Sequence, residues 1–480
     1  MVSSTPIEVD AAVKPGQPEA QPAASEPARL ATDSARTFLY RIAIFTLTLL
    51  NGIVIARALT PAEKGAYNLA VALPRLLLRF GNLGVGDAAI YQIGKRTHSF
   101  RYITANVFSL ALVVGALLTG LAILLYQPLS QSFLKGVEPV FFLVAICTIP
   151  PALLTDFAQD LLRGVRDIRA YNRSRTGHYV FLLIGTSILL LALSLRLPGA
   201  MLAFVLMTVG DIALVLVMLR RHTPLGLDAD RDLVGDMSHF GLRAYVMQLV
   251  MYLNYDLDIF IVNFFAKDTA SVGFYSLAAG LAETLWYLPN AVTVVLFPTI
   301  AANLKRGGEL TPKASRHVLF LTLLSAVALA LVLPLLLPFL YGARYAPAIE
   351  PLLLLLPGVV TLSVFKVVST GLFGRGQPML ASWAAIIGLT LQIALDIVLI
   401  PAHGINGAAI ASTLAYSLMS VLGVMVYVRQ TGIPPRDLLI LKREDWQVYG
   451  RLIRLPLKRL RRLSGSPRWA GRKQRGRSGS

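Results

Sequence analysis

Apolar runs of about 20 residues, the length a helix needs to cross a bilayer core, recur along the chain between short polar turns. Twelve are read, at approximately 37–58, 65–94, 103–127, 138–162, 177–195, 198–219, 239–265, 271–303, 316–341, 349–373, 378–401 and 404–428. The second and eighth are long and carry Pro74, Gly81 and Gly84, or Pro289 and Pro298. Such breaks mark discontinuous helices around a transport site or proline kinks stabilised by neighbours; the sequence admits both.

The turns test this division independently. With the N-terminus in the cytoplasm, the even-numbered turns hold 16 Lys and Arg, among them Arg163, Arg166, Arg169, Arg173 and Arg175. The odd-numbered turns hold 6: Arg57, Lys64, Lys135, Arg196, Lys267 and Arg344. Basic residues stay on the cytoplasmic side, so both termini are expected there. The organisation read is a disordered leader rich in Pro, Ala and Glu (1–34), a first six-helix bundle (35–220), a cytoplasmic linker (221–238), a second bundle (239–428) and a basic cytoplasmic tail (429–480). No signal peptide precedes the first run, which reads as an uncleaved insertion signal.

Composition supports a membrane body. Of 480 residues, 55% are hydrophobic and only 15% charged, too little charge to cover a soluble protein of this length. The net charge of +19 is uneven: the leader is acidic, whereas the tail holds 15 Lys and Arg against Asp437, Glu444 and Asp445. Beside a membrane body, that tail is expected to lie against anionic lipid rather than nucleic acid. One cysteine, Cys147, excludes an internal disulfide framework. Scattered histidines give no metal spacing, and no cofactor motif is found.

The chain resembles itself at a spacing of 208 residues. GAYNLAVAL at 65–73 returns as GFYSLAAGL at 273–281, and Ile53-Val54 as Ile261-Val262. This maps helices 1–2 onto helices 7–8. The fold expected is therefore an all-α membrane protein of about 12 transmembrane helices. They form two six-helix bundles related by a pseudo-two-fold axis along the membrane normal, enclosing a cleft that opens to either side by rocking.

Charges remain inside the predicted spans. The basic ones are Arg41, Arg75, Arg79, Arg243 and Lys366; acids include Asp87, Asp156, Asp160, Asp211, Asp256, Asp258, Glu283 and Asp396. Each costs at least about 2.5–3.5 kcal/mol at mid-membrane, so each should face a wet cavity or an opposite charge. Arg75 and Arg79 share a helix face, as do Asp156 and Asp160. Arg75 and Glu283 occupy equivalent repeat positions with opposite charge. One reading is a cationic cavity in which Arg41, Arg75 and Arg79, with Lys366, bind an anionic group, since guanidinium forks suit phosphate oxygens. The other is snorkelling of these side chains to the interface. Asp156, Asp160, Asp258 and Glu283 are the ion-coupling candidates.

Several motifs carry nothing. Asp228, Asp230 and Asp232 lack the glycine and closing glutamate of a calcium loop. The glycines at 81, 84 and 86 are in the wrong order for a dinucleotide site, and no phosphate-binding loop is present to power an ATP-driven pump. No catalytic set is found. Residues 436–463 suit a helix lying in the inner interface, interrupted at Pro456.

The stretches IVIARALTPAEKGAY (53–67), LDIFIV (257–262), GFYSLA (273–278) and LFP (296–298) are similar to those of the polysaccharide-transport (oligosaccharide/O-antigen) flippase family. That family lies within the multidrug/oligosaccharidyl-lipid/polysaccharide exporter superfamily. The resemblance spans about 35–428 and implies a two-bundle, alternating-access transporter of the inner (plasma) membrane, not an enzyme. It implies a polyprenyl-diphosphate-linked oligosaccharide as substrate and polysaccharide-assembly proteins as partners. The acidic leader and long basic tail have no counterpart in it. The alternatives are an ion-coupled drug or small-molecule antiporter of the same superfamily, and a polytopic glycan polymerase or glycosyltransferase, against which the short outer loops argue. A scaffold recruiting partners through 429–480 would leave the in-span charges unexplained.

Overall fold

A computed structural model of the chain describes residues 26–95, 98–228, 249–266 and 268–446, with isolated positions 230, 233, 235, 237 and 245. No strand occurs among them. The first half contains α1 (Glu26–Ala58), α2 (Pro61–Asn82), α3 (Val85–Lys95), α4 (Phe100–Leu124), α5 (Tyr126–Ser132), α6 (Pro139–Ile146), α7 (Ile149–Gly164), α8 (Ile168–Thr186, continued by a π-helical turn) and α9 (Arg196–Leu219). The second half contains a helical stretch at 249–256, then α10 (Asp258–Phe265), α11 (Thr269–Glu283), α12 (Tyr287–Ala302), α13 (Leu304–Tyr341), α14 (Ile349–Gly374), α15 (Pro378–Thr431) and α16 (Pro435–Leu439).

Nine helical stretches among the described residues are long and apolar enough to cross a membrane. The longest, α15, is two helices. Gly404 breaks it at φ 57°, ψ −136°, a conformation only glycine adopts readily. A Cβ on Gly407 would then lie 2.2 Å from the Leu399 carbonyl oxygen, and one on Gly388 2.1 Å from Met419. Those approaches require an antiparallel hairpin. The remaining two predicted runs appear as 249–256 with α10 and as α11 with α12, so the elements are consistent with twelve crossings. On α13 the fully lipid-directed positions recur every fourth residue: Leu331, Leu335 and Phe339 are 70%, 81% and 71% exposed. In water that stripe would be a liability, whereas against acyl chains it needs no cover.

The breaks have local causes. Thr60 caps α2, accepting from the Glu63 N–H at 3.2 Å while Glu63 accepts from the Thr60 N–H at 2.8 Å, with Pro61 at a position needing no donor. Pro74 lies inside α2; the break comes later, where Leu83 and Gly84 turn left-handed at φ 48° and 71°. In the eighth run the break is a 3₁₀ turn over Thr284–Trp286, ahead of Pro289. The fourth run also breaks, at Cys147–Thr148 ahead of Pro150 and Pro151. At the other extreme, α1 reaches back to Glu26, into the stretch expected to be a disordered leader. The acidic linker turn is tied to α4: the Tyr102 hydroxyl donates to Asp230, and the Asp230 N–H donates to Asn106 Oδ1 at 2.6 Å. Residues 1–25, Arg243 with the start of the seventh run, and the basic tail beyond 446 lie outside the described residues.

The halves meet on their repeat. α2 and α11 cross with backbones touching: a Cβ on Gly65 would sit 1.8 Å from the Thr269 carbonyl oxygen, and one on Gly273 2.1 Å from that of Pro61. Asn68 donates to Ser276, its repeat equivalent 208 residues on, at 2.5 Å. Two symmetry-equivalent residues can touch only at the axis that relates them, so this crossing marks the pseudo-two-fold. Further bonds between the halves gather at the same, arginine-poor end. Arg57 Nε donates to the Leu340 carbonyl at 2.8 Å, Arg344 to that of Ala56 at 2.9 Å, Tyr345 to that of Leu59 at 3.1 Å and Asn263 to that of Phe133 at 2.9 Å.

Beyond α15 the chain is strapped onto the base of α13. The side chains of Arg316 and Asp445 are 3% and 5% exposed and form an ion pair. The second Arg316–Asp445 bond is 2.9 Å, and the Lys442 N–H donates to the same carboxylate at 2.8 Å. Trp446 packs edge-on against Phe320.

Two outcomes are expected. Gly273→Ala should lower the midpoint of thermal unfolding in detergent, by the roughly 1–3 kcal/mol of an overpacked contact. Gly280→Ala on the same helix meets nothing within 4 Å and should be neutral or slightly stabilising. The hydrogen bonds from Arg316 hold the Asp445 carboxyl below the usual carboxylate range, at about 2. A depressed carboxylate stabilises the fold above its unfolded value and loses that contribution on acidification. Stability of wild type, followed by unfolding at fixed temperature, should therefore fall between about pH 4 and pH 2, and Asp445→Asn should remove that limb of the profile.

Candidate functional site

Two confluent cavities open between the helices. One of about 730 Å³ is walled by α2, α7, α8 and α9; the other, about 630 Å³, runs along the seam between α1, α2 and α11. Thr48, Asn51, Tyr67, Arg75 and Leu182 belong to both walls, so Arg75 faces the two spaces at once.

The structure brings Arg75 and Arg79 together on the cavity face of α2, one turn apart. Arg79 holds its guanidinium 4.0 Å above the ring of Tyr252 from the other half. Arg175, counted in the sequence as a turn residue, also lines the first cavity and donates to the Tyr171 hydroxyl at 3.1 Å. With Arg163, which is paired with Asp160, four guanidinium groups share that wall. Arg41 is not part of either wall. Lys366, on α14, stands behind the second cavity: it donates to the Tyr255 hydroxyl at 3.0 Å and lies 4.6 Å from the Trp286 ring centre.

Acids face these cations. Asp156 and Asp160 line the first cavity. Asp160 accepts from Arg163 at 2.8 Å and is pressed against the first turn of α3, where a Cβ on Gly86 would come within 1.9 Å of its Oδ2. Only glycine there allows the carboxylate so near a helix N-terminus, which favours negative charge. His178 Nδ1 pairs with the buried Asp211 at 2.5 Å in the same wall. Glu283 and Asp256 line the second cavity together with Arg75. The repeat mates Arg75 and Glu283 thus contribute opposite charges to one space.

Asp258 lies elsewhere, buried within the second half. It accepts from the Tyr275 and Ser412 hydroxyls, each at 2.7 Å, and from Gln392 Nε2. Asn254 stands one turn before it, and Asp396 one turn after Gln392 on the facing α15. Asp396 is completely buried, and among the described residues neither of its oxygens has a hydrogen-bond partner; Asn254 Oδ1 and Gln392 Oε1 are likewise unpartnered. Buried acceptors without donors are strongly disfavoured. A proton or a small cation would supply what this set lacks. The sequence counted Asp396 among the in-span acids but only Asp258 among the ion-coupling candidates; the signal that joins them was the pair of i, i+4 repeats, Asn254/Asp258 and Gln392/Asp396.

Comparison with known proteins places this architecture. Residues 54–350 match the family described as polysaccharide biosynthesis protein. A probable low-salt glycan biosynthesis flippase of Haloferax volcanii, Agl15, is 22% identical over 404 residues, covering 82% of each chain. The lipid II flippase MurJ in an inward closed conformation superposes with a TM-score of 0.69 at 17% identity, covering 84% of this chain and 89% of that one. An inward-facing multidrug resistance MATE family transporter of the MOP superfamily gives 0.66 at 17% identity, covering 80% and 94%. With that family match over more than half its length, the chain belongs to the polysaccharide biosynthesis protein family, as a multi-pass membrane protein on the fold of the MOP-superfamily exporters.

Proposed function

We propose that the protein is a flippase carrying a polyprenyl-diphosphate-linked oligosaccharide across the inner (plasma) membrane by alternating access, with no covalent change to its cargo. The observation that carries this reading is that Arg75, Arg79 and Arg175 line one cavity, walled by first-half helices and reached by Tyr245 and Tyr252 of the second half. A diphosphate cannot cross hydrocarbon bare. Guanidinium forks replace its hydration bidentately, the confluent cavities receive the headgroup, and the polyprenyl chain stays in lipid. The flippases among the related proteins agree with this job.

The Lys/Arg bias of the turns puts the arginine-rich end and both termini in the cytoplasm. The sealed arginine-poor end then faces outward, and the cavity is poised to load from inside. Residues 35–220 and 239–428 are the bodies that rock, and the basic tail rests on anionic lipid. Energy enters through the buried set around Asp258 and Asp396, which binds a proton or small cation as the halves rearrange; Glu283, opposite Arg75, links substrate charge to that set.

Charge-assisted hydrogen bonds contribute roughly 1.5–3 kcal/mol each. Arg75→Ala with Arg79→Ala should therefore reduce leaflet exchange of the lipid-linked oligosaccharide in proteoliposomes by at least about 100-fold while folded yield is kept. Unchanged exchange would remove these arginines from the mechanism. Asp396→Asn should leave downhill exchange measurable but abolish its response to an imposed ion gradient. A variant that still follows the gradient would place coupling elsewhere.

A further inference from the structure

One charged group at the crossing of the halves is held only by neutral oxygens among the described residues. Lys64 sits on α2 at the crossing with α11 and is 6% exposed. Its Nζ donates to the Gly273 carbonyl at 3.3 Å and the Ser276 hydroxyl at 3.2 Å. Asn68 spends its own donor on that same hydroxyl. The neighbouring acid, Glu63, is engaged by Thr60 and Arg196, so no carboxylate reaches the ammonium among the described residues. The repeat equivalent of Lys64 is Val272, which leaves this charge as a departure from symmetry at the axis itself. Lys64, Asn68 and Ser276 all line the outer end of the seam cavity.

A buried ammonium satisfied only by neutral oxygens is poorly compensated, and two donors converging on one hydroxyl are under-used. Both conditions hold only while the seam is shut. Parting α2 from α11 would free Lys64 and Asn68 into the cavity, beyond Arg75 along the same helix. We propose that Lys64, with Asn68, is a second anion site at the outer end of the pathway, which takes the diphosphate from the arginines and holds the outer seam open while it is bound. This rests on the flippase reading above and deepens it. A ligand shifts a gate only through differential affinity for its two states. Lys64 supplies that difference, because its ammonium can meet a diphosphate in the open state and not in the closed one.

The test uses the full-length protein in nanodiscs, carrying Cys147→Ser and spin labels at Gln131→Cys and Ala346→Cys. These are exposed positions on arginine-poor turns of opposite halves. Polyprenyl diphosphate is the probe, its binding measured separately by fluorescence. In this background it should raise the ratio of open to closed outer-end distances. Lys64→Met should keep inner-site binding but lose about tenfold of that diphosphate-dependent rise. If Lys64 only packs the seam, Lys64→Met will change the ligand-free distances and leave the diphosphate-dependent rise intact, which overturns the proposal. Should Lys64→Met not fold, Lys64→Gln in the same assay decides between the same two outcomes. Absence of diphosphate binding to the unsubstituted protein would instead overturn the flippase reading, and this proposal with it.

Discussion

An ionised side chain inside a bilayer must keep water, find an opposite charge, or bind what it carries. The interior of this protein is arranged around that constraint. Arg75, Arg79 and Arg175 keep water by lining a cavity; Asp160 finds Arg163 and a helix end; Asp258 is saturated by donors. Asp396 and Lys64, both incompletely satisfied among the described residues, are put to use by the transport reading.

Symmetry supplies the moving parts. Glycines 65 and 273 remove side chains where α2 and α11 cross on the pseudo-two-fold, so the halves seal by backbone contact and can separate without unthreading interlocked side chains. Hydrogen bonds to exposed carbonyl ends, such as those from Arg57 and Arg344, reinforce the seal at the same end. Charge then breaks the symmetry: Arg75 and Glu283 answer one another across the seam cavity, and Lys64 answers an apolar valine. The first half sets its arginines against Asp156, Asp160 and Asp211, while the second buries Asp258 and Asp396.

The crossings were legible because lipid tolerates only long apolar helices, and the repeat was legible because Gly65, Tyr67 and Leu69 return 208 residues later. Of the break residues read in the second run, Pro74 sits inside α2 without ending it, whereas Gly84 lies at the left-handed turn, next to Leu83. Arg175 and Lys64 were counted among turn charges, because a run-length rule assigns depth and says nothing of which face a residue presents. Arg41 was grouped with the other arginines by its place in an apolar run, yet it stands outside both cavity walls. The turn at Gly404 falls at the division read between 378–401 and 404–428, but which residues of that hairpin meet Asn254 and Asp258 is a matter of packing that run lengths do not give.

The central claim is that the hydrated space between the halves carries a lipid-linked anion. Purified protein in liposomes, supplied with a fluorescent polyprenyl-diphosphate oligosaccharide on one leaflet, tests it by quenching from the opposite side. The account predicts protein-dependent movement of label between leaflets, accelerated by a proton or sodium gradient. Label that stays where it was placed, while the same vesicles exchange a cationic drug for protons or sodium, would contradict it.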